Sequence, residues 1–284
     1  MKNHTIKILS VLLSVVILMT CTSACAQWYA FEPSQDTHEN ERPSTTSTTT
    51  TEISTTTSNT TIIDTQTTNR SMDVTTKTSV NKSFSGSHKI NVPLIAQKPE
   101  FPTGCESVSA VMALRYFGET IRVTDFINKH LSMSSKFYYK DGRRYGPSPY
   151  EYFIGNPMTT QSYGCMASVI EKALVSYFGS VERVYNVTGT DMRDLCTNYI
   201  DNNLPILVWV TISMIDTSTS DTWYLEDGTL FEWPGNEHCM VLVGYDEKYY
   251  YFNDPYTGKT VKQAHSLAEL RYEQLGKQAI VITN

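Results

Sequence analysis

The chain is predicted to carry an α+β domain in which helices come first and an antiparallel sheet follows. Three observations point there. Helical apolar patterns crowd into the first half of the segment that begins at His88, strand-like runs dominate its second half, and residues 27–87 hold too little apolar material to contribute a core. Helices followed by strands, without strict alternation, favour α+β over a doubly wound α/β sheet.

The elements follow in order. Ile90, Val92 and Leu94 alternate and are read as a strand. Cys105 to Phe117 reads as a helix whose apolar residues (Val108, Val111, Met112 and Leu114 among them) cover most of its circumference. Such a helix is buried on nearly all sides, and Gly118 ends it. Thr124 to His130 and Cys165 to Phe178 read as two more helices, the second stopped by Gly179, and Asp191 to Asn202 as another. Ile206 to Ile212 is a continuous apolar, β-branched run and is read as a central strand. Thr222 to Trp233 reads as a hairpin around Asp227-Gly228. His238 to Gly244 and Tyr249 to Asn253 make a second hairpin, Ser266 to Gln274 a helix, and Ala279 to Ile282 a last strand.

The first 26 residues read as an export signal. Lys2 and Lys7 precede an apolar run from Ile8 to Met19 that is short for a membrane span. Ala24-Cys25-Ala26 has the form of a cleavage site. Leu18-Met19-Thr20-Cys21 has the form of a lipobox, which would attach the protein to a membrane through a lipidated Cys21. Both readings put the remainder outside the cytoplasm, in the medium or at the cell surface. Residues 27–87 then form a Ser/Thr-rich linker that cannot offset its ordering entropy, and residues 88–284 form the folded domain.

A net charge of −6 with no basic run argues against nucleic acid as a partner. The six cysteines form no CxxC pair, which argues against structural zinc, and no cofactor motif is present. A disulfide involving Cys165, Cys196 or Cys239 stays open.

The stretch Gln97-Lys98-Pro99-Glu100-Phe101-Pro102-Thr103-Gly104-Cys105-Glu106 carries the chemistry. Thr103 and Glu106 have capping-box spacing, so Cys105 falls in the first turn of the buried helix. Free amides and the helix dipole there favour a thiolate. Gly104 permits another segment to approach closely. A thiolate nucleophile needs an acid/base partner. Of His88, His130, His238 and His265, His238 opens the buried run Cys239-Met240-Val241-Leu242-Val243-Gly244-Tyr245, where a side chain is held at a sheet end. Asp254, in Asn253-Asp254-Pro255, closes the paired strand and can orient the imidazole. Gln97 can donate to an oxyanion beside the Cys105 N–H. Cys239 points to the opposite face from His238 and is read as core. Phe137-Tyr138-Tyr139 and Tyr145 to Phe153 are read as loops that could line a substrate groove.

These motifs, together with Gly155-Asn156-Pro157 and Leu204-Pro205-Ile206-Leu207-Val208-Trp209-Val210, resemble the C39-like cysteine peptidases of the papain-like group over Val92 to Ile282. The 133 residues from Cys105 to His238 fit the roughly 130–150 of papain-type enzymes. The resemblance implies a papain-like fold, a peptide or protein substrate, Cys105 as nucleophile, His238 as base and acid, Asp254 as orienter and Gln97 as oxyanion donor. Acyl transfer by the same residues and an idle surface-binding module are the competing readings.

Overall fold

The computed structural model describes Phe84 and residues 86–284, all within one compact unit, so the expected export signal and most of the expected linker lie outside the described residues. Strand β1 (His88–Lys89) leads to the long helix α1 (Cys105–Tyr116) and to α2 (Val123–His130). Four short strands follow: β2 (Met133–Ser134), β3 (Tyr138–Lys140), β4 (Arg143–Tyr145) and β5 (Phe153–Ile154). Helix α3 (Ala167–Phe178), strand β6 (Val184–Asn186), helix α4 (Met192–Asn198) and strand β7 (Ile206–Thr211) come next. The hairpin β8 (Thr219–Tyr224) and β9 (Leu230–Pro234) precedes β10 (Glu237–Tyr245), β11 (Tyr249–Asp254) and β12 (Lys259–Ala264). Helix α5 (His265–Gln274) and strand β13 (Ala279–Ile282) complete the fold.

The main sheet runs β12-β11-β10-β7-β13-β6, with β1 added along β10, and every pairing in it is antiparallel. Its centre is β7 against β10. Ile206 through Thr211 and Glu237 through Tyr245 are all buried, which is why both read as near-continuous apolar runs. A second sheet, β3-β4-β8-β9, stands apart around its own aromatic core of Trp223, Trp233, Ile154 and Met166.

Helix α1 is buried from Cys105 to Leu114 and packs on β10 and β7. Burying each of Val108, Val111, Met112 and Leu114 is worth about 1.5–3 kcal/mol. Ser109 Oγ donates to Cys239 O (3.0 Å) and fixes the helix along β10. Gly118 (φ 86°) ends the segment as the sequence predicts, and Gly179 (φ 68°) caps α3.

Several expectations are corrected. The Ile90-Val92-Leu94 strand reduces to β1 plus one further bond, Ile90 N–H to Val243 O (2.7 Å), and Leu94 is exposed, because β10 offers no edge beyond that point. The predicted helix from Asp191 to Asn202 breaks at Tyr199 into α4 and a 3₁₀ turn over Ile200–Asn202. Strands β3, β4, β6 and β12 were not expected; β12 has only Val261 and Ala264 as apolar residues and gains its place by pairing with β11. Cys105, Cys165, Cys196 and Cys239 are all buried free thiols.

The β10–β11 hairpin carries a bulge between Leu242 and Gly244. Before it, Tyr245 faces Tyr250; after it, Val241 faces Asn253, so Asp254 falls opposite Met240. Without the extra residue Asp254 would fall opposite Val241, on the other face of the sheet from His238. A Cβ on Gly244 would lie 2.5 Å from His88 O and 2.9 Å from Lys89 Cα. Gly244→Ala is expected to detach β1 and disturb the bulge, lowering stability by about 1–3 kcal/mol in urea unfolding. An unchanged midpoint would show that the close approach is not needed.

Candidate active site

Cys105, His238 and Gln97 meet in one cleft of about 320 Å³, whose walls also include Thr103, Tyr163, Trp233, Glu237 and Tyr256. A larger depression of about 470 Å³ lies elsewhere, around Ser134, Glu151 and Asp227, and holds neither the thiol nor the imidazole. The chemistry belongs to the smaller one.

Cys105 is the first residue of α1, with Gly104 at the N-cap. The first intrahelical bond is Val108 N–H to Gly104 O (2.9 Å), so the Cys105 amide is one of the unpaired donors of the first turn. The capping box does not form. Thr103 Oγ1 instead donates to Thr159 O (2.9 Å), tying the helix start to the loop after β5. Gly104 is needed because a Cβ there would sit 3.0 Å from Phe101 Cβ and 3.1 Å from Pro157 Cβ.

Glu106, expected to cap the helix, turns inward and is fully buried. Its Oε1 accepts the Cys165 N–H (2.7 Å) and its Oε2 accepts the Cys105 S–H (3.3 Å). Burial lifts the Glu106 carboxyl to about 7 against the pull of these bonds. Glu237, at the head of β10, is buried beside it, and its Oε1 has no partner. Burial first, and then the charge of Glu106, push Glu237 well above the ordinary range. The Cys105 sulfur and one oxygen of each carboxylate lie within 4.8 Å of one another. Burial and these two carboxylates, with a smaller contribution from Cys239, raise the Cys105 thiol well above its usual value. The helix-start position predicts a lowered thiol; desolvation and two acids outweigh the dipole.

His238 is buried, and its Nε2 lies 2.8 Å from Asp254 Oδ1, leaving Nδ1 without a hydrogen bond. Asp254 also accepts the Tyr256 N–H at Oδ1 and the Thr257 hydroxyl at Oδ2, each at 2.8 Å. Burial would raise this carboxyl, but the bond from His238 and those from Thr257 and Tyr256 hold it below the usual carboxylate range. The Tyr256 ring and the imidazole make a T-shaped contact, 6.1 Å between centroids, and Lys98 Nζ lies 3.7 Å from the Tyr256 ring centroid.

Gln97 is buried; its Nε2 donates to Pro102 O (2.9 Å), and its Oε1 has no partner. Its main-chain N–H donates to Pro255 O (2.8 Å), which ties the Gln97 segment to the turn that carries Asp254. The other histidines lie elsewhere: His88 bonds Asn203, His130 bonds Ser176, and His265 packs against Tyr250.

The cleft walls differ from expectation. The Tyr-rich loops do not line it; Tyr138 and Tyr145 stack on each other in the small sheet. Tyr163, Trp233 and Tyr256 line it instead. Tyr163 is held by Arg144 and donates to Asp221. Glu237 and Tyr256 could have been suspected from adjacency, since they neighbour His238 and follow Asp254. Nothing local in sequence marks Tyr163, which lies in the loop before α3, or Trp233, which lies on β9 of the second sheet.

The profile of the Peptidase_C39 like family matches residues 89–280. The chain is 28% identical over 213 residues to the uncharacterized protein YvpB of Bacillus subtilis (strain 168), covering 74% of this chain and 82% of that protein. The crystal structure of a candidate C39-like peptidase from Bacillus anthracis superposes with a TM-score of 0.60 at 27% identity, covering 71% of this chain and 98% of that one. With its profile spanning more than half of the chain, including the cleft, this protein belongs to the Peptidase C39 like family.

Proposed function

We propose that this protein is an exported, papain-like cysteine peptidase that hydrolyses peptide or isopeptide bonds. The observation that carries the reading is the convergence, in one cleft, of a thiol at a helix start, an imidazole oriented through Nε2 by a carboxylate, and a buried side-chain amide. Asp254 engages Nε2 and so leaves Nδ1 as the nitrogen that takes the Cys105 proton. The thiolate attacks the carbonyl, and the negative oxygen that forms is met by the Cys105 N–H and by the second Nε2 hydrogen of Gln97. The imidazolium returns its proton to the leaving amine, and water then hydrolyses the thioester, with His238 as base. Family membership supports a peptidase. The apolar, Lys-flanked N-terminus supports export, through either a cleaved signal or a lipidated Cys21.

Cys105→Ala is expected to abolish labelling by an electrophilic peptide probe; labelling at the native level would remove Cys105 as nucleophile. Asp254→Asn leaves the hydrogen-bond geometry nearly intact but favours the wrong tautomer, so kcat should drop by about 10²–10⁴. The carboxylate's contribution is present above its unfolded pKa of about 3.9 and fades only as pH falls through its lower folded value, so native activity should not lose this support at neutral pH. Gln97→Ala should lower kcat by about 10²–10³ with little change in KM. An equal fall in binding and turnover would assign Gln97 to substrate contact instead.

A further inference from the structure

The mechanism above leaves two buried acids beside the nucleophile without a task. Glu106 and Glu237 approach from different elements, α1 and β10, and converge on the same spot. A Cβ on Gly164 would lie 2.6 Å from Glu106 Oε1 and 2.9 Å from Glu237 Oε2. Gly164 (φ 138°) therefore closes the loop before α3 over both carboxyls, and Trp233 Cη2 stands at 3.4 Å from the same position. One oxygen of Glu106 is committed to the Cys165 amide and the other faces the Cys105 sulfur. Glu237 has a buried oxygen that no donor in the structure reaches.

Among the described residues no Lys or Arg bonds either acid. None of the residues lining the cleft is Lys or Arg. The titratable groups facing the acids are the thiols of Cys105 on α1, Cys165 ahead of α3 and Cys239 on β10, with His238 on the same cleft. All three thiols feel both carboxylates, which raise them. Two ionised carboxylates buried this close cannot persist without a proton between them.

Resting on the peptidase reading, we propose that Glu106 and Glu237 share one proton beneath the Cys105 sulfur. Glu106 is a further catalytic residue that contacts the reacting sulfur, and Glu237 is a positioning residue that acts through it. In the resting cleft the thiol donates to Glu106 Oε2. When the thiol proton moves to His238 Nδ1, the sulfur becomes an anion and can no longer donate. The proton retained by the acid pair then turns to the sulfur and donates a hydrogen bond to the thiolate. One proton has moved from sulfur to imidazole, and the pair keeps its own. Loss of the shared proton at higher pH adds a second negative charge beside the sulfur and opposes thiolate formation.

The test uses the full native chain and needs no substrate. Infrared spectra should contain a protonated-carboxyl band at about pH 6, well above the ordinary glutamate pKa of about 4.3. That band should shift in Glu106→Gln and in Glu237→Gln, each of which leaves one buried acid without its carboxyl partner, and should shift again when Cys105 is alkylated. Alkylation of Cys105 by iodoacetamide should be about tenfold faster in Glu237→Gln than in the native protein near pH 9, the change expected for one unit of thiol pKa. Absence of the band in the native protein would overturn the proposal, even if a variant failed to fold. So would superimposable alkylation profiles, or a stoichiometric divalent metal retained by the native protein and lost from Glu237→Gln. A normal band and alkylation response without peptide hydrolysis would leave the acid pair standing and remove the peptidase reading.

Discussion

The packing of α1 along β10 is the contact on which the site depends. It buries the helix from Cys105 to Leu114 against a strand whose residues are themselves all buried. The bond from Ser109 Oγ to Cys239 O sets the helix at one height along the strand. That height brings the thiol at the head of the helix to the end of β10 where Glu237 and His238 stand. Neither element could shift by a turn without exposing apolar surface or leaving a buried hydroxyl unpaired, the latter alone costing about 1–3 kcal/mol of a domain's roughly 5–15 kcal/mol of stability.

Around that contact the site is built from segments that each bring one group and are tied to one another by main-chain bonds. Gln97 N–H reaches Pro255 O, Thr103 Oγ1 reaches Thr159 O, and Glu106 Oε1 receives the Cys165 N–H. The loop from Ile154 to Met166 thus supports the helix start from one side, and the turn after β11 supports Gln97 from the other. Trp209 Nε1 donates to Cys165 O (2.9 Å), which links this loop to the central strand β7. Rigid support of this kind lets a cleft hold a thiol, an imidazole and an amide in place before substrate arrives.

The electrostatics of the cleft run against a simple activated thiolate. A helix start favours an anion, but Cys105 is desolvated and faces two acids, so its proton is held rather than released. On the proposed mechanism, the oriented imidazole of His238 supplies the drive for ionisation. The cleft lining holds no Lys or Arg to balance the acids, and on the proposal above their own protonation becomes part of the charge balance at the sulfur.

Much of this was legible in the sequence. Helices α1, α2, α3 and α5, the strands β7, β10, β11 and β13, and the hairpin around Asp227-Gly228 all follow from local periodicity and turn residues. Cys105, His238 and Asp254 could be selected because each sits at the boundary of such an element, and Gln97 because it lies just ahead of Cys105. What only the tertiary structure decided rests on contacts between distant segments. The bulge before Gly244 chooses which face of the sheet Asp254 shares with His238, and a one-residue shift reverses that choice. Glu106 has the spacing of a cap, yet the Cys165 amide and the Cys105 thiol, one of them 59 residues away, outcompete the helix end for its carboxylate. Trp233 reaches the cleft from the second sheet and Tyr163 from the loop before α3 that packs against it. Periodicity reports which way a residue faces along its own segment; which group it meets is set by how the segments pack, and that information is not local.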